Sequence, residues 1–405
     1  MRWHARSRLI TLVAVLGLVT ALLAWRWVEY APLRRAHAAY SQSNWWESLV
    51  ACRSFLYAHP QNNEAKRLAA QAATRLGMFQ EADRYFTQSG GLLPDELRTH
   101  GEVLIKLRDW DRAYVNFQAV VERAPQDITA QMQLVALSVQ RGRYNQAVEQ
   151  ARAALKLAAG TPHDPHCEYL LGSALFARGD LSESATHYIR ALELQGQGSA
   201  QLQVSSDSLR MEIVDQLLSV SRIDEAREQY GLLPKDEPLD VEQLYQLGRL
   251  RVFDDDPDAA RKAWEGVLAR RPAHFGALLN LGKLMLDQGH AEQGRELLQR
   301  ATEARDTSAA YFLLAQACSQ VEDHDAAERA MKRFRELSAQ EEEEKQEMLM
   351  VRGSPDHRDT QMILAKRAKR TGDHQLARMF LRRALKIDPD FQPARNMLAE
   401  IEKPR

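Results

Sequence analysis

The 405 residues hold 54 lysines and arginines against 55 aspartates and glutamates, a net charge of −1. The cations are scattered among carboxylates, which excludes the basic stripe that a nucleic-acid backbone requires. Three cysteines, Cys52, Cys167 and Cys318, lie far apart without a CxxC pair, so a zinc ribbon is excluded and each reads as a small buried residue.

From the N-terminus, Leu9 to Trp25 contains only apolar or small residues apart from Thr11 and Thr20. As a helix this segment covers about 25 Å of a bilayer. Trp3 precedes it and Trp25 and Trp27 close it, which places indoles at both headgroup levels. Arg2, Arg6 and Arg8 stand before it, and Arg26, Arg34 and Arg35 follow with Glu29 among them, a balance that favours a cytoplasmic N-terminus. The expectation is an uncleaved transmembrane anchor over residues 1–28, with the rest of the chain extracytoplasmic, periplasmic if the cell is bacterial. A cleaved signal peptide is the alternative and would release a secreted protein. Its small-x-small cleavage pattern is missing, because Leu22 stands at −3 if Ala24 is at −1.

Beyond this segment a spacing of 34 residues runs through the chain: Gly248 to Gly282, Ala113 to Ala147, Ala260 to Gly294. A period of that length marks a solenoid, and so binding rather than chemistry. Within each unit a small residue is followed twelve places on by another, then by a large apolar residue and a proline. Gly101, Ala113, Phe117 and Pro125 form one such series; Gly248, Ala260, Trp264 and Pro272 another; Ala365, Ala377, Leu381 and Pro389 a third. Small residues let two antiparallel helices approach closely. Gly142, Gly179, Gly289 and Gly372 fall between them as turns, and the proline stops the second helix.

This register resembles the tetratricopeptide repeat family, with ten copies beginning near Tyr30, Asn63, Pro94, Ile128, Pro165, Asp207, Val241, Phe275, Ser308 and Arg358. Ser48, Ser184, Val214 and Ser221 depart from the pattern at small or turn positions. The resemblance implies an all-α, right-handed superhelical solenoid of helix-turn-helix repeats behind one transmembrane helix. Nine repeats occupy residues 29–337, a helical extension and linker 338–357, and a tenth repeat with a capping helix 358–405. Glu341 to Glu344 with Lys345 extend the second helix of the ninth repeat until Gly353, Ser354 and Pro355 break it.

Two clusters imitate metal sites. Asp254, Asp256, Asp258 and Glu265 mimic a calcium loop, but Ala259 stands where glycine is required, and Asp256 and Pro257 read as N-cap and first residue of a helix. His163, Asp164, His166 and Cys167 gather soft ligands, yet Asp164 and Pro165 again read as a helix start and no second ligand group is near. His290, His324 and His374 fall at turns between helices. No HExxH, GxSxG or phosphate loop occurs, and Gly196 and Gly198 lie in a spacer, so no cofactor, no metal and no enzymatic activity are expected.

The resemblance assigns the lining of a concave groove to the first helices. Its middle would present Met132, Tyr169, Phe176, Met211, Tyr245, Phe253, Leu279 and Phe312; Arg249 and Lys283 add charge, and Lys366, Lys369 and Arg370 line the C-terminal end. That implies an extended or helical protein or peptide partner with apolar anchors and acidic groups. A carboxylate clamp does not fit, since Tyr245 and Arg249 precede Asn280 and Ala309 and Leu313 follow it. An asparagine ladder does not fit either, with Leu170, Glu212, Leu313 and Ile363 at its positions. The expected protein is a membrane-anchored scaffold or adaptor that organises an envelope complex. An accessory subunit presenting substrates to an enzyme such as a glycosyltransferase is the alternative, and catalysis through the His163 to Cys167 cluster a third reading.

Overall fold

In each hairpin the chain crosses from first helix to second through one residue in the left-handed region. Gly77, Gly142, Gly179, Gly289 and Gly372 hold it at φ between 73° and 93°, and Ser43, Arg108, Ser221, Asp255 and Glu322 hold it at 56° to 61°. Glycine adopts that conformation freely; the other five do so against a steric cost. A computed structural model describes residues 25–197, 202, 204–234, 239–354 and 357–402, all helices and connections with no strand among the described residues. The chain divides into two compact units at Leu137 and Ser138.

The first unit pairs α1 (Ala31–Ser41) with α2 (Trp45–Ala58), α3 (Asn63–Arg75) with α4 (Phe79–Gln88), and α5 (Pro94–Lys106) with α6 (Trp110–Arg123), and ends within α7 (Ile128–Gln140). Each hairpin packs on the next, so Phe55, Ala69 and Phe86 share one core and Phe117, Val120 and Leu134 another.

The second unit continues with α8 (Tyr144–Ala158), then pairs α9 (Asp164–Arg178) with α10 (Leu181–Gly196), α11 (Ser206–Ser219) with α12 (Ile223–Gly231), α13 (Val241–Phe253) with α14 (Pro257–Arg270), and α15 (Phe275–Asp287) with α16 (Ala291–Ala304). It closes with α17 (Ser308–Gln320) and α18 (His324–Gly353), α19 (Arg358–Arg370) and α20 (His374–Ile387), and a last helix α21 (Gln392–Glu402). The first helices begin within one residue of the repeat starts read from the sequence.

The small residues act as sockets. A β-carbon on Gly101, Gly172, Gly248 or Gly282 would stand 2.3 to 2.7 Å from Phe117, Tyr188, Trp264 or Leu298, the large residue sixteen places on. The helices therefore close on glycine against a bulky partner, rather than on two small residues alone. One contact in the second unit skips the series: Leu364 of α19 lies against the turn at Gly142, and Tyr144 packs on the core of α19 and α20. Neighbour-only packing is thus the rule of this unit with that exception.

The expected transmembrane segment, Leu9 to Trp25, lies outside the described residues except for Trp25, as do Gly198 and Pro355. Among the described residues no helix is long and apolar enough to cross a membrane. At the start of α9 the cap is shifted by one residue from the sequence reading. His163 is the N-cap, Asp164 opens the helix, and the Asp164 carboxylate accepts from the Gly160 amide at 3.0 Å.

Candidate functional site

The first helices of the second unit carry large apolar side chains that the fold leaves open. Phe176 on α9, Phe253 on α13 and Phe312 on α17 are 46%, 50% and 45% exposed. With Val252 of α13, 47% exposed, these phenylalanines leave apolar area unspent on the first helices of alternate repeats, although they stand at different positions within their repeats. Tyr169, Met211, Tyr245 and Leu279 are partly buried between them.

The remaining residues expected in the groove separate into local sites. Arg249 and Phe253 of α13 meet Asn280 and Lys283 of α15 around a cavity of about 220 Å³ floored by Trp264. The Trp264 indole is fixed there by donating to the Tyr245 carbonyl at 3.2 Å. Arg249 is turned to Asp215 of α11, whereas Lys283 is exposed and makes no hydrogen bond or ion pair among the described residues. Tyr245 accepts from the Asn280 amide at 3.4 Å, and burial pushes its hydroxyl pKa up. Tyr169 stacks on Tyr188 at 5.5 Å, and burial also pushes up the pKa of neighbouring Glu212. Met132 belongs to the first unit.

At the C-terminal end the expected cations are met by the chain's own carboxylates. Lys369 pairs with Glu400 and Arg370 with Glu344, each at 2.7 Å. Lys366, Lys369 and Arg370 line a cavity of about 570 Å³ whose opposite wall is Glu343, Glu344 and Glu347 of α18. Positive potential there is offset by an acidic helix face, which the linear pattern of basic residues could not show.

The metal-like clusters are engaged elsewhere. Asp254 holds Arg227 and Arg251, Asp256 caps Ala259 of α14, and Asp258 holds Arg261. Cys167 is buried with its thiol pushed up to about 12, chiefly by burial. No group of three or more metal-ligating side chains comes together among the described residues.

One polar network had no sequence signal. In the first unit His100 of α5 is buried beneath Phe86, their rings stacked at 5.0 Å, and its Nε2 lies 2.8 Å from Asp83 of α4. Arg112 of α6 reaches the same carboxylate at 2.6 Å and donates to Thr87 at 2.8 Å. Burial lowers the His100 pKa, over the opposing pull of Asp83. The partners lie 17 and 29 residues from Asp83, too far for a local motif.

Three segments match family models described as tetratricopeptide repeat: residues 136–199, 254–318 and 361–391. No curated protein matches the chain. Among solved structures, the chain is similar to YrrB, a TPR protein with an unusual peptide-binding site, at 20% identity over 40% of this chain and 83% of that one, TM-score 0.38. It is similar to the C-terminal part of a TPR repeat-containing protein from Cytophaga hutchinsonii, at 15% identity over 60% and 97%, TM-score 0.42. A chain of the APC/C hetero-tetramer Cut9–Hcn1 matches at 12% identity over 95% and 98%, TM-score 0.38.

Proposed function

The chain carries tetratricopeptide repeats, and from that premise we propose that it is a non-catalytic, membrane-anchored scaffold that binds another protein on the first-helix face of its second unit. The observation that carries the reading is the set of half-exposed phenylalanines, Phe176, Phe253 and Phe312, with the exposed Lys283 between the last two. Each ring is already about half buried, so covering the rest contributes about 0.7–1.5 kcal/mol, and the three together about 2–4 kcal/mol before the cost of association. The ammonium of Lys283 beside Asn280 suits a carboxylate on the partner, set next to an apolar anchor over Phe253.

In this reading Leu9 to Trp25 tethers the repeats to a bilayer, with the N-terminus cytoplasmic and the repeats on the other side, where they organise an envelope assembly. Its apolar composition and flanking indoles support the tether. Alkaline carbonate extraction tests it: the protein should stay with the membrane pellet, and release into the supernatant counts against the anchor. Affinity capture tests the binding face. Proteins retained by the native chain should be lost with a Phe176→Ser, Phe253→Ser, Lys283→Glu variant of unchanged helicity; equal retention would reject this face.

A further inference from the structure

The second helix of the ninth repeat, α18, runs for 30 residues, whereas its counterparts α14, α16 and α20 each have 14. The excess carries the chain about 24 Å farther before it turns back. The next first helix, α19, pairs with that extension: Arg370 holds Glu344 at 2.7 Å, Arg367 meets the sulfur of Met348, and Val351 is buried in a core with Ile363 and Leu364.

This displacement leaves a place unfilled. At the regular junctions the following first helix covers the large residues four and seven places after the small one of the second helix. Phe117 and Val120 are buried against Ala130 and Leu134, and Trp264 and Val267 against Ala277 and Leu281. Behind the tenth repeat, α21 does the same for Leu381 and Ala384 through Ala394 and Leu398. In the ninth repeat the corresponding residues after Ala327 are Met331 and Phe334, and both are only partly buried. In place of the covering helix there is an open cleft of about 820 Å³ between α17 and α18.

Its floor is apolar, formed by Phe312, Ala315 and Met331, with Phe312 and Phe334 rings 5.4 Å apart. Along one side stand Lys332 and Arg335, neither with a hydrogen bond or ion pair among the described residues; Arg333 between them is held by Asp306 and Glu336. Asp325 and Glu328 lie toward the start of α18.

We propose that this cleft receives an amphipathic α-helix supplied by a partner protein, in the place that the chain's own next helix fills at the regular junctions. The guest helix sets an apolar stripe on Phe312, Ala315, Met331 and Phe334 and directs carboxylates to Lys332 and Arg335. The cleft shares only Phe312 with the groove of the proposed function, so the two can fail separately.

The probe is a labelled peptide of the α15 sequence, Phe275–Asp287, with Asn280→Glu and Lys283→Glu, titrated into the full-length protein in detergent and read by fluorescence anisotropy. Saturable binding is expected, weakened at least tenfold by Lys332→Glu with Arg335→Glu and restored when the peptide carries lysines in place of its two glutamates. Met331→Asp should abolish binding at unchanged helicity, while Phe253→Ser should leave it unaltered. Three results overturn the proposal: no saturation with the native protein, loss with Phe253→Ser but not with the cleft variants, or a dimer in sedimentation that Met331→Asp dissociates, which would make a second copy the occupant.

Discussion

The indole of Trp264 lies so close over Gly248 that a β-carbon there would stand 2.3 Å from Nε1. A buried ring fixed by its bond to the Tyr245 carbonyl cannot retreat, so the α13–α14 hairpin must open to admit a methyl group. Gly248→Ala is expected to destabilise the second unit by about 1–3 kcal/mol. Gly266, on the same helix as Trp264, meets only Leu244 at 3.4 Å, an ordinary contact. Gly266→Ala should therefore stabilise by about 0.5–1 kcal/mol through helix propensity. Urea denaturation followed by circular dichroism reads both, and equal signs would refute the socket geometry.

The left-handed turns make a second pair of opposite effects. Glu322 sits at φ 60° and Gly289 at φ 82°, in the same place of successive repeats. Glu322→Gly should raise stability by about 1 kcal/mol and Gly289→Ala lower it by a similar amount. Thermal melts of the two variants, compared with the native chain, decide the matter.

His100 gives the first unit a pH dependence. Its folded pKa lies below the ordinary histidine value of 6.5, because burial disfavours the charged ring. In the window just below 6.5 the unfolded chain therefore binds more protons than the folded one, so stability is fully present above that value and is lost as pH falls. Amide protection in α4 to α6, taken as the exchange rate relative to that of an unstructured chain at the same pH, should fall between pH 7.5 and pH 5.5. His100→Phe should flatten the dependence; an unchanged slope would assign it to another group.

The α18 extension is held by burial more than by charge. Glu344 and Arg370 are both largely exposed, so Glu344→Gln should change stability by less than about 0.5 kcal/mol. Val351 is fully buried, and Val351→Ala removes two buried carbons at a cost of about 1.6 kcal/mol. Limited proteolysis near Ser354 should accelerate in the valine variant alone.

Much of the architecture could be read from residue spacing because sockets and glycine turns leave residue-level marks, as at Gly101, Gly248 and Gly372. The turns at Arg108 and Glu322 carry no such mark, since packing of the flanking helices imposes a conformation their side chains disfavour. The run from Glu341 to Lys345 showed that α18 would be long. Its effect on Met331 and Phe334 was hidden, because exposure depends on where α19 comes to rest. The pairing of Lys369 and Arg370 was equally hidden, since Glu400 and Glu344 lie 31 and 26 residues away. The network of Asp83, His100 and Arg112 shows the same limit in the first unit.

The central claim, that a partner sits on the first helices of the second unit, is tested most directly by photo-crosslinking in native membranes. A benzophenone side chain placed at Phe253 or Phe312 should yield crosslinks to one and the same protein, and placed at the exposed Lys262 or Gln299 of the second helices should yield none. Crosslinks of equal yield from Lys262 and Gln299, or none from Phe253 and Phe312, would contradict the account.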